Sequence, residues 1–376
     1  MGGVATSTQR VAGNLTLLGH KVLVVTFDRN NTHTDDNSVV CENHEGFEVR
    51  RIRTLDSLNE FFLATDRRRT FDQMKILAAE FKPDVMLSFL VINAGLLTAY
   101  LSHSMEVPHI VGLRGKDIST GIFSLGEIAG ISLVLKDCAG VVCGNEYLRD
   151  CLLLAFPEVA SRTKVIINGM ELPSEMVKSR GRPYLSKHTD WRKSDPVAVF
   201  IGFAREKKGI GVLCKAVEMA RAKIPLRLLV IGMQPGTDRV GFMENWNHLV
   251  NNDALHLTGQ LKRPIALSVA MEGNMIVMPS LDDGMANGLL EGMALGLCPI
   301  VSDLFKGVVT ANHSGWVVPR NDHKKLAEAL VEAGSQPDKR KRFSTNAKAY
   351  MLNHHSPKSE AMEYVKLFEA VLLSRG

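Results

Sequence analysis

Short runs of apolar, mostly β-branched residues alternate with amphipathic stretches along almost the whole chain. Runs of this kind are typical of parallel strands, which are buried on both faces and connected by helices. The sequence therefore predicts an α/β fold with two doubly wound domains that face each other across a cleft at the carboxyl ends of their strands. The predicted strands are residues 21–27, 84–89, 109–113, 140–143 and 164–167 in a first series, and 197–201, 227–231, 275–278 and 298–301 in a second.

A polar stretch rich in Pro, Lys and Arg separates the two series of strands. Such a composition is typical of a linker. We therefore predict an N-terminal domain over residues 1–175, a linker over 176–195, a C-terminal domain over 196–355 and a C-terminal helix over 356–376.

The first domain begins unusually. A turn at Gly2 and Gly3 is followed by a helical stretch from Gln9 to Leu18, and no strand precedes them in the sequence. A doubly wound domain normally begins with a strand that lies in the middle of its sheet. We expect that the sequence is truncated or that another segment takes this position, because an empty position would destabilise the domain.

The composition narrows the class of protein. The chain has 376 residues, of which 45% are hydrophobic and 23% charged, the ordinary balance of a globular protein. Neither an apolar run long enough to cross a membrane nor a secretion signal is apparent. The six cysteines form no CxxC pair, as expected in a reducing compartment, and the net charge of +5 is too small to indicate nucleic acid binding. We expect a cytoplasmic protein.

The segment 279–303 combines two acids with a glycine-containing turn. Asp283 and Glu291 lie eight residues apart, so both carboxylates can face one cleft if a helix begins between them. The backbone N–H groups of residues 285–289 would then be unsatisfied donors at a helix N-terminus, where phosphates bind readily. Acids on both sides of an anion site suit a sugar nucleotide, with hydroxyls at both ends and a diphosphate between them.

This segment resembles the signature of the retaining family 4 glycosyltransferases of the GT-B fold, S-x-x-E-G-F-P-N-x-L-L-E-A-M-A-x-G-x-P-V, and the likeness extends over nearly the whole chain. Three positions depart from it, where Asp283, Met285 and Ala286 replace Glu, Phe and Pro. By this resemblance Asp283 contacts the donor sugar and Glu291 the ribose. The matching residues are Ser280, Gly284, Asn287, Leu289, Leu290, Glu291, Met293, Ala294, Gly296 and Pro299. The implied donor-binding residues of the segment are Asp283, Gly284, Met285, Ala286, Asn287, Gly288, Leu289 and Glu291.

A second region, residues 200–210, resembles the family pattern V-G-R-x-x-x-x-K-G. Lys208 occupies the family's Lys position, whereas Phe203 occupies the Arg position and Arg205 follows two residues later. By the resemblance these cations neutralise the departing diphosphate, since negative charge develops there as the glycosidic bond breaks. Arg205 is either a substitute phosphate contact or a solvated loop charge.

Three further residues match the family more weakly. Gly3 lies in a turn resembling the one that approaches the diphosphate, and Gly232 would border the base pocket. Arg114 occupies the place of the family's His in a His-Gly-x-Asp run near the donor sugar. It contacts a sugar or an acceptor, or it pairs with a neighbouring acid.

The resemblance implies a retaining, hexosyltransferase-type enzyme that moves a sugar from a nucleoside-diphosphate sugar to a carbohydrate, lipid-linked or small-molecule acceptor in polysaccharide, glycolipid or glycoconjugate biosynthesis. It also implies that the C-terminal helix packs back on the first domain. Asp282-Asp283 is not a spaced D-x-D motif, so we expect no metal and no other cofactor. Two alternatives stay open: a catalytically silent GT-B protein that binds sugar nucleotides, and a GT-B sugar-nucleotide 2-epimerase.

A cluster of aromatic and basic residues in the first domain suits peripheral contact with a membrane. The alternative is a surface loop that leads into a helix over residues 72–81. The residues of this cluster are Phe61, Phe62, Arg67, Arg68 and Arg69.

Overall fold

The chain forms two compact units in a computed structural model. Unit 1 contains Met1–Gly169 together with Pro357–Gly376, and unit 2 contains Met170–Ser356. The residues that the structure describes are 3–29, 39–44, 46–54, 60–170, 181–203, 205–232 and 242–374.

The strands lie in both units and most are short. In chain order they are β1 (Leu23–Arg29), β2 (Val39–His44), β3 (Phe47–Thr54), β4 (Met86–Phe89), β5 (His109–Leu113), β6 (Gly140–Cys143), β7 (Thr163–Val165), β8 (Val197–Ile201), β9 (Arg227–Ile231), β10 (Leu255–Leu257), β11 (Met275–Met278), β12 (Cys298–Ser302) and β13 (Trp316–Val318).

The helices connect the strands and cover the sheets. In chain order they are α1 (Gly3–Leu17), α2 (Glu60–Phe81), α3 (Leu96–Met105), α4 (Lys116–Ser119), α5 (Ile128–Asp137), α6 (Glu146–Ala155), α7 (Gly181–His188), α8 (Ile210–Arg221), α9 (Phe242–Asn251), α10 (Arg263–Ala270), α11 (Asn287–Leu295), α12 (His323–Ser335), α13 (Pro337–His354) and α14 (Pro357–Leu373).

Unit 2 is built on one parallel sheet with the strand order β10-β9-β8-β11-β12-β13. Strands β11 and β12 are buried at every position, as the continuous apolar runs of the sequence predict for strands covered on both faces. The order shows that the chain winds outward from β8 in both directions. This arrangement confirms the predicted doubly wound class for unit 2.

The described strands of unit 1 form two sheets. One has the order β1-β3-β2, and the other is the parallel sheet β4-β5-β6-β7. Residues 23–27 of β1 are only half-buried, whereas β5 and β6 are buried throughout. No strand among the described residues joins β1 to β4, although both contribute to one apolar cluster with α2 and α3. That the sequence is truncated, or that another segment takes the position of the missing first strand, stays a prediction.

Helix α14 belongs to unit 1 and packs on α1, as predicted for the end of the chain. Val11 and Leu15 of α1 pack in one cluster with Tyr364 and Leu367 of α14. Beside this cluster, Arg10 donates to both carboxylate oxygens of Glu360, at 2.6 and 3.1 Å. The Glu360 side chain is 1% exposed. A buried acid held this way fixes α14 against α1.

Two predicted helix boundaries are wrong. Helix α1 begins at Gly3 and not at Gln9, so Gly3 lies in a helix and not in a turn; Gly2 lies outside the described residues. Helix α2 begins at Glu60, so the basic cluster lies on a helix and not in a loop. Residues 181–188 of the predicted linker form helix α7 of unit 2. The linker's residues 176–180 lie outside the described residues, and the predicted domain boundaries stay a prediction.

Candidate functional site

The sheet of unit 2 reverses its winding direction between β8 and β11. From β8 the chain continues to β9 and β10 on one side, then crosses to β11, β12 and β13 on the other. In open parallel sheets, ligands bind beyond the carboxyl ends of the strands at such a switch point. The loops that follow β8 and β11, with described residues 202–203, 205–209 and 279–286, therefore form the candidate site.

These two loops are fixed to each other by their backbones. The Lys207 carbonyl oxygen accepts hydrogen bonds from the N–H groups of Leu281 and Asp282, at 2.8 and 3.1 Å. Gly209 has a φ of +70°, and a Cβ atom there would lie 2.0 Å from the Pro279 carbonyl oxygen. Only glycine allows this approach. The Lys-Gly pair of the sequence motif thus brings the first loop against the second.

The Lys208 ammonium donates to the Asp283 carboxylate across the two loops. The side chains are 21% and 9% exposed, so the pair is largely removed from water. The sequence analysis assigned Lys208 to the diphosphate and Asp283 to the donor sugar, and the structure brings the two side chains into direct contact. The pair lies just before helix α11, so it puts one cation and one acid at that helix start.

Helix α11 begins at Asn287, and its N-cap residue Ala286 makes no side-chain capping hydrogen bond. A Cβ atom at Gly288 would lie 2.4 Å from the Ile201 carbonyl oxygen at the end of β8. Glycine therefore lets the helix N-terminus approach the end of the central strand. An N-terminus placed this way carries partial positive charge and main-chain N–H groups suited to an anion.

Glu291, on the second turn of α11, pairs with Arg263 at the start of α10. Arg263 Nε lies 3.0 Å from Glu291 Oε1, and its Nη2 lies 3.6 Å from the Met170 sulfur atom. Glu291 is 15% exposed and Arg263 is 50% exposed. The sequence analysis missed Arg263, since nothing in its local sequence relates it to an acid 28 residues later.

Arg205 lies at the start of the short helical turn Glu206–Lys208. Its guanidinium lies 5.7 Å from the centre of the Phe203 ring, and the Phe203 side chain is 55% exposed. The residue in the family's Arg position and its predicted substitute are therefore in contact. Arg205 is exposed.

Other predicted donor-binding residues have a buried side chain or none. Ala286 and Leu289 are 2% and 0% exposed, so their side chains belong to the core. Gly232 follows β9 with a φ of +102°, and a Cβ atom there would lie 3.3 Å from the Gly202 carbonyl oxygen. Gly232 thus borders the first loop, whereas Gly3 lies at the start of α1 in unit 1.

Arg114 follows β5 in unit 1. Its guanidinium stacks 3.8 Å from the centre of the Phe89 ring, and Nη1 donates to Asn168 Oδ1 at 3.0 Å. Nη2 lies 3.5 Å from the Tyr364 hydroxyl. The Arg114 backbone N–H donates to the Asp117 carboxylate. Burial raises the pKa of Asp117.

The basic cluster predicted as a membrane contact lies on α2. Arg67, Arg68 and Arg69 are exposed, and Arg68 Nε lies 3.1 Å from Asp72 Oδ2 one helical turn later. The side chains of Phe61 and Phe62 lie outside the described residues. Within the described parts of the chain, no helix is long and apolar enough to cross a membrane. In the same parts, no cluster of three or more His, Cys, Asp or Glu side chains is arranged to hold a metal ion.

A doubly wound sheet with a switch point in unit 2 and a parallel sheet in unit 1 are typical of the Rossmann-like class of α/β proteins. The model of the glycosyl transferases group 1 matches residues 182–350, and that of the glycosyl transferase 4-like domain matches residues 2–169. Together they span both units. The chain belongs to the family 4-like glycosyltransferases of the GT-B fold.

Similar proteins agree with this family. An uncharacterized glycosyltransferase of Methanocaldococcus jannaschii is 22% identical over 272 residues, which cover 71% of this chain and 70% of the relative. Sucrose-phosphate synthase of Thermosynechococcus elongatus has a TM-score of 0.76 at 17% identity, over 99% of this chain and 94% of the other. An Anabaena protein crystallised with UDP has a TM-score of 0.70 at 13% identity, over 93% of this chain and 100% of the other. Alignments with curated relatives cover from 33% to 70% of their own lengths.

Proposed function

We propose that this chain is a retaining glycosyltransferase that moves a sugar from a nucleoside-diphosphate sugar to an acceptor hydroxyl. The observation that carries the proposal is the contact between Lys208 and Asp283 at the switch point of unit 2, directly before helix α11. A cation, an acid and a helix N-terminus together suit a diphosphate with a sugar attached. Family membership and the UDP complex of the Anabaena neighbour favour a nucleoside-diphosphate donor.

The phosphate side of the site consists of Lys208, Arg205 and the backbone at the start of α11. Negative charge grows on the leaving diphosphate as the bond to the sugar breaks, so fixed positive groups lower the barrier. Lys208 is held in place before the donor arrives, because Asp283 accepts its hydrogen bond. Arg205 is exposed, and it reaches the phosphate from its position beside Phe203.

The sugar and ribose sides belong to the two acids. Asp283 orients hydroxyl groups of the donor sugar while it keeps its contact with Lys208. Glu291 accepts hydrogen bonds from the ribose through the oxygen that Arg263 does not use; Arg263 Nε takes Oε1. The shorter side chain of Asp283, compared with the family's Glu, shifts or narrows the choice of sugar.

Retention follows if the acceptor attacks from the face that the diphosphate leaves and a phosphate oxygen takes the acceptor proton. The protein then contributes orientation and charge stabilisation and needs no covalent nucleophile. The acceptor is a carbohydrate, a lipid-linked sugar or a small molecule, and the reaction needs no metal. Arg67, Arg68 and Arg69 are the surface through which a lipid-linked acceptor would bring the chain to a membrane.

The test is a donor screen with UDP, GDP and ADP sugars, read as release of the nucleoside diphosphate, followed by NMR of the new anomeric centre. We expect one donor to be turned over with an α-linked product. Lys208→Ala should lower kcat at least tenfold, because the charge on the leaving group loses its partner. Lys215→Ala, which removes an exposed lysine of α8, is the matched control and should change neither kcat nor KM.

Three results would contradict the proposal. A β-linked product from an α-configured donor rules out retention. A changed sugar without a new glycoside identifies an epimerase. Binding without turnover of any donor identifies a silent binding protein.

A further inference from the structure

Arg114 is a half-buried cation whose side-chain partners are uncharged. The guanidinium donates to the Asn168 amide oxygen and lies against the Tyr364 hydroxyl. Tyr364 is fully buried, and burial raises the pKa of its phenol, so this group stays neutral. Arg114 Nε is shielded from solvent and has no hydrogen-bond partner among the described residues. Neither contact neutralises the arginine.

The two nearby carboxylates of unit 1 are already occupied. Glu360 uses both oxygens for Arg10, and it also accepts the N–H of Gly169 at 2.9 Å. Asp117 accepts the backbone N–H of Arg114 at 3.1 and 3.2 Å. Arg114 forms no salt bridge to an acid of the described part of the chain, whereas Arg10 in the same network has a buried, two-point partner.

Arg114 is also fixed in place at the carboxyl edge of the sheet β4-β5-β6-β7. It directly follows β5, it stacks on Phe89 at the end of β4, and it bonds Asn168 just beyond β7. These strands are parallel, so the three residues lie at the carboxyl edge of one sheet, where α/β proteins bind ligands. A charge that is partly removed from water and has no counter-ion is costly, so we expect the ligand of such a site to bring the counter-ion.

We propose that Arg114 binds an anionic group, a carboxylate or a phosphate, on the sugar or the acceptor that this enzyme handles. Asn168 and Phe89 position the guanidinium, and the ligand completes the ion pair. The inference rests on the proposed function for the kind of ligand, and it adds that this ligand is acidic. An anionic group of this kind comes from one of two sources, a uronic acid in the donor or a phosphorylated acceptor.

Two pairs of probes differ only in this anionic group. The glucuronate against the glucose form of the sugar nucleotide, with the base (UDP, GDP or ADP) that the donor screen selects, tests the donor. Glucose 6-phosphate against glucose, with the same nucleoside diphosphate at saturation, tests the acceptor. Calorimetry on the full chain should show at least tenfold tighter binding of the anionic member of one pair, since hydrogen bonds to charged groups are the strong ones. The pair that shows the preference identifies the source.

Variants assign the preference to Arg114. Arg114→Gln should remove it, and Arg114→Lys should retain part of it, because the charge remains while the planar two-point geometry is lost. Arg162→Gln is the matched control. Arg162 is another unit 1 arginine with a buried, unpartnered Nε, but it caps carbonyl groups of α5 and precedes β7, at the opposite edge of the sheet. This variant should keep the wild-type preference.

Equal binding of both members in both pairs overturns the inference, and so does a preference that survives Arg114→Gln or is unchanged in Arg114→Lys. If Arg114→Gln does not fold, the wild-type pairs and Arg114→Lys still decide. Failure of the proposed function gives a different result: the wild-type protein then binds none of UDP, GDP and ADP and turns over no donor. Failure of this inference leaves nucleoside-diphosphate binding intact and removes only the preference for the charged probe.

Discussion

Lys208 donates a hydrogen bond to Asp283, although 75 residues separate the two in the chain. The contact exists because β8 and β11 are neighbours in the sheet, so the loops that follow them meet. The strand order of the sheet thus brings together two residues that belong to separate sequence motifs. The site is a consequence of the doubly wound topology of unit 2.

The Lys208–Asp283 pair should be energetically coupled. Lys208→Met and Asp283→Asn each leave a largely buried charge or polar group without its partner, and the double variant removes both. We expect a coupling free energy of about 1–3 kcal/mol in a double-mutant cycle measured by urea unfolding. The exposed pair Lys325–Glu328 is the control and should show a much smaller coupling, because solvent screens its charges. Additive effects at Lys208 and Asp283 would mean that the contact is not formed in solution.

Arg263 should act on the nucleotide through Glu291. The ion pair fixes the orientation of the Glu291 carboxylate, so Arg263→Gln should weaken binding of the preferred nucleoside diphosphate (UDP, GDP or ADP) by about three- to tenfold. The same change in a Glu291→Ala background should have no further effect, because there is no carboxylate left to orient. Calorimetric titration of the four proteins with this nucleoside diphosphate measures both. If Arg263→Gln weakens nucleotide binding equally in the Glu291→Ala background, Arg263 acts on the nucleotide by another route.

Gly288 should tolerate no side chain. A Cβ atom there would lie 2.4 Å from a backbone oxygen of β8, so Gly288→Ala must move α11 and should destabilise the protein by about 1–3 kcal/mol. Gly211→Ala in α8 is the matched control, since nothing lies within 4 Å of its added Cβ. That change should stabilise helix α8 by about 0.5–1 kcal/mol. Thermal melting of both variants is the measurement, and equal shifts would contradict the close approach.

His109 should make unit 1 less stable in acid. Burial lowers its pKa to about 4, whereas an unfolded histidine titrates near about 6.5. Between these values the unfolded state binds the proton and the folded state does not, so stability is complete above pH ~6.5 and falls toward pH ~4.

His109→Gln keeps a hydrogen-bonding partner for Ser88. It should reduce the decrease in melting temperature as the pH falls between the unfolded and folded pKa values of His109. Part of the slope should remain, since burial also lowers the pKa of His355 to about 4. The exposed His103 on α3 provides the control, as His103→Gln should leave the wild-type slope. An unchanged slope in His109→Gln would rule out His109 as its source.

The sequence predicted strands well where both faces are buried. Strands β5, β6, β8, β9 and β11 have the predicted bounds, because continuous apolar runs have few alternatives in an α/β fold. It missed β2 and β3, a pair rich in charged residues; Arg51 and Glu42 form an ion pair there at 2.9 Å. It also missed β10 and β13, each only three residues long. Such strands form because they pair with neighbouring strands.

The candidate site also contains both residues that the sequence predicts and contacts that it does not. Lys208, Asp283 and Glu291 are found from spacing within local segments. The pairing of Arg263 with Glu291 depends on how α10 packs on α11, and the missing counter-ion of Arg114 depends on which partners surround it. No local pattern contains that information.

The most direct test of the donor site is calorimetric titration of UDP, GDP and ADP into the wild-type protein and into Glu291→Ala. The account predicts that one nucleoside diphosphate binds the wild type and that loss of Glu291 weakens it at least tenfold, the cost of hydrogen bonds to a charged group. Equal affinity in the two proteins, or no binding of any of the three, would contradict it.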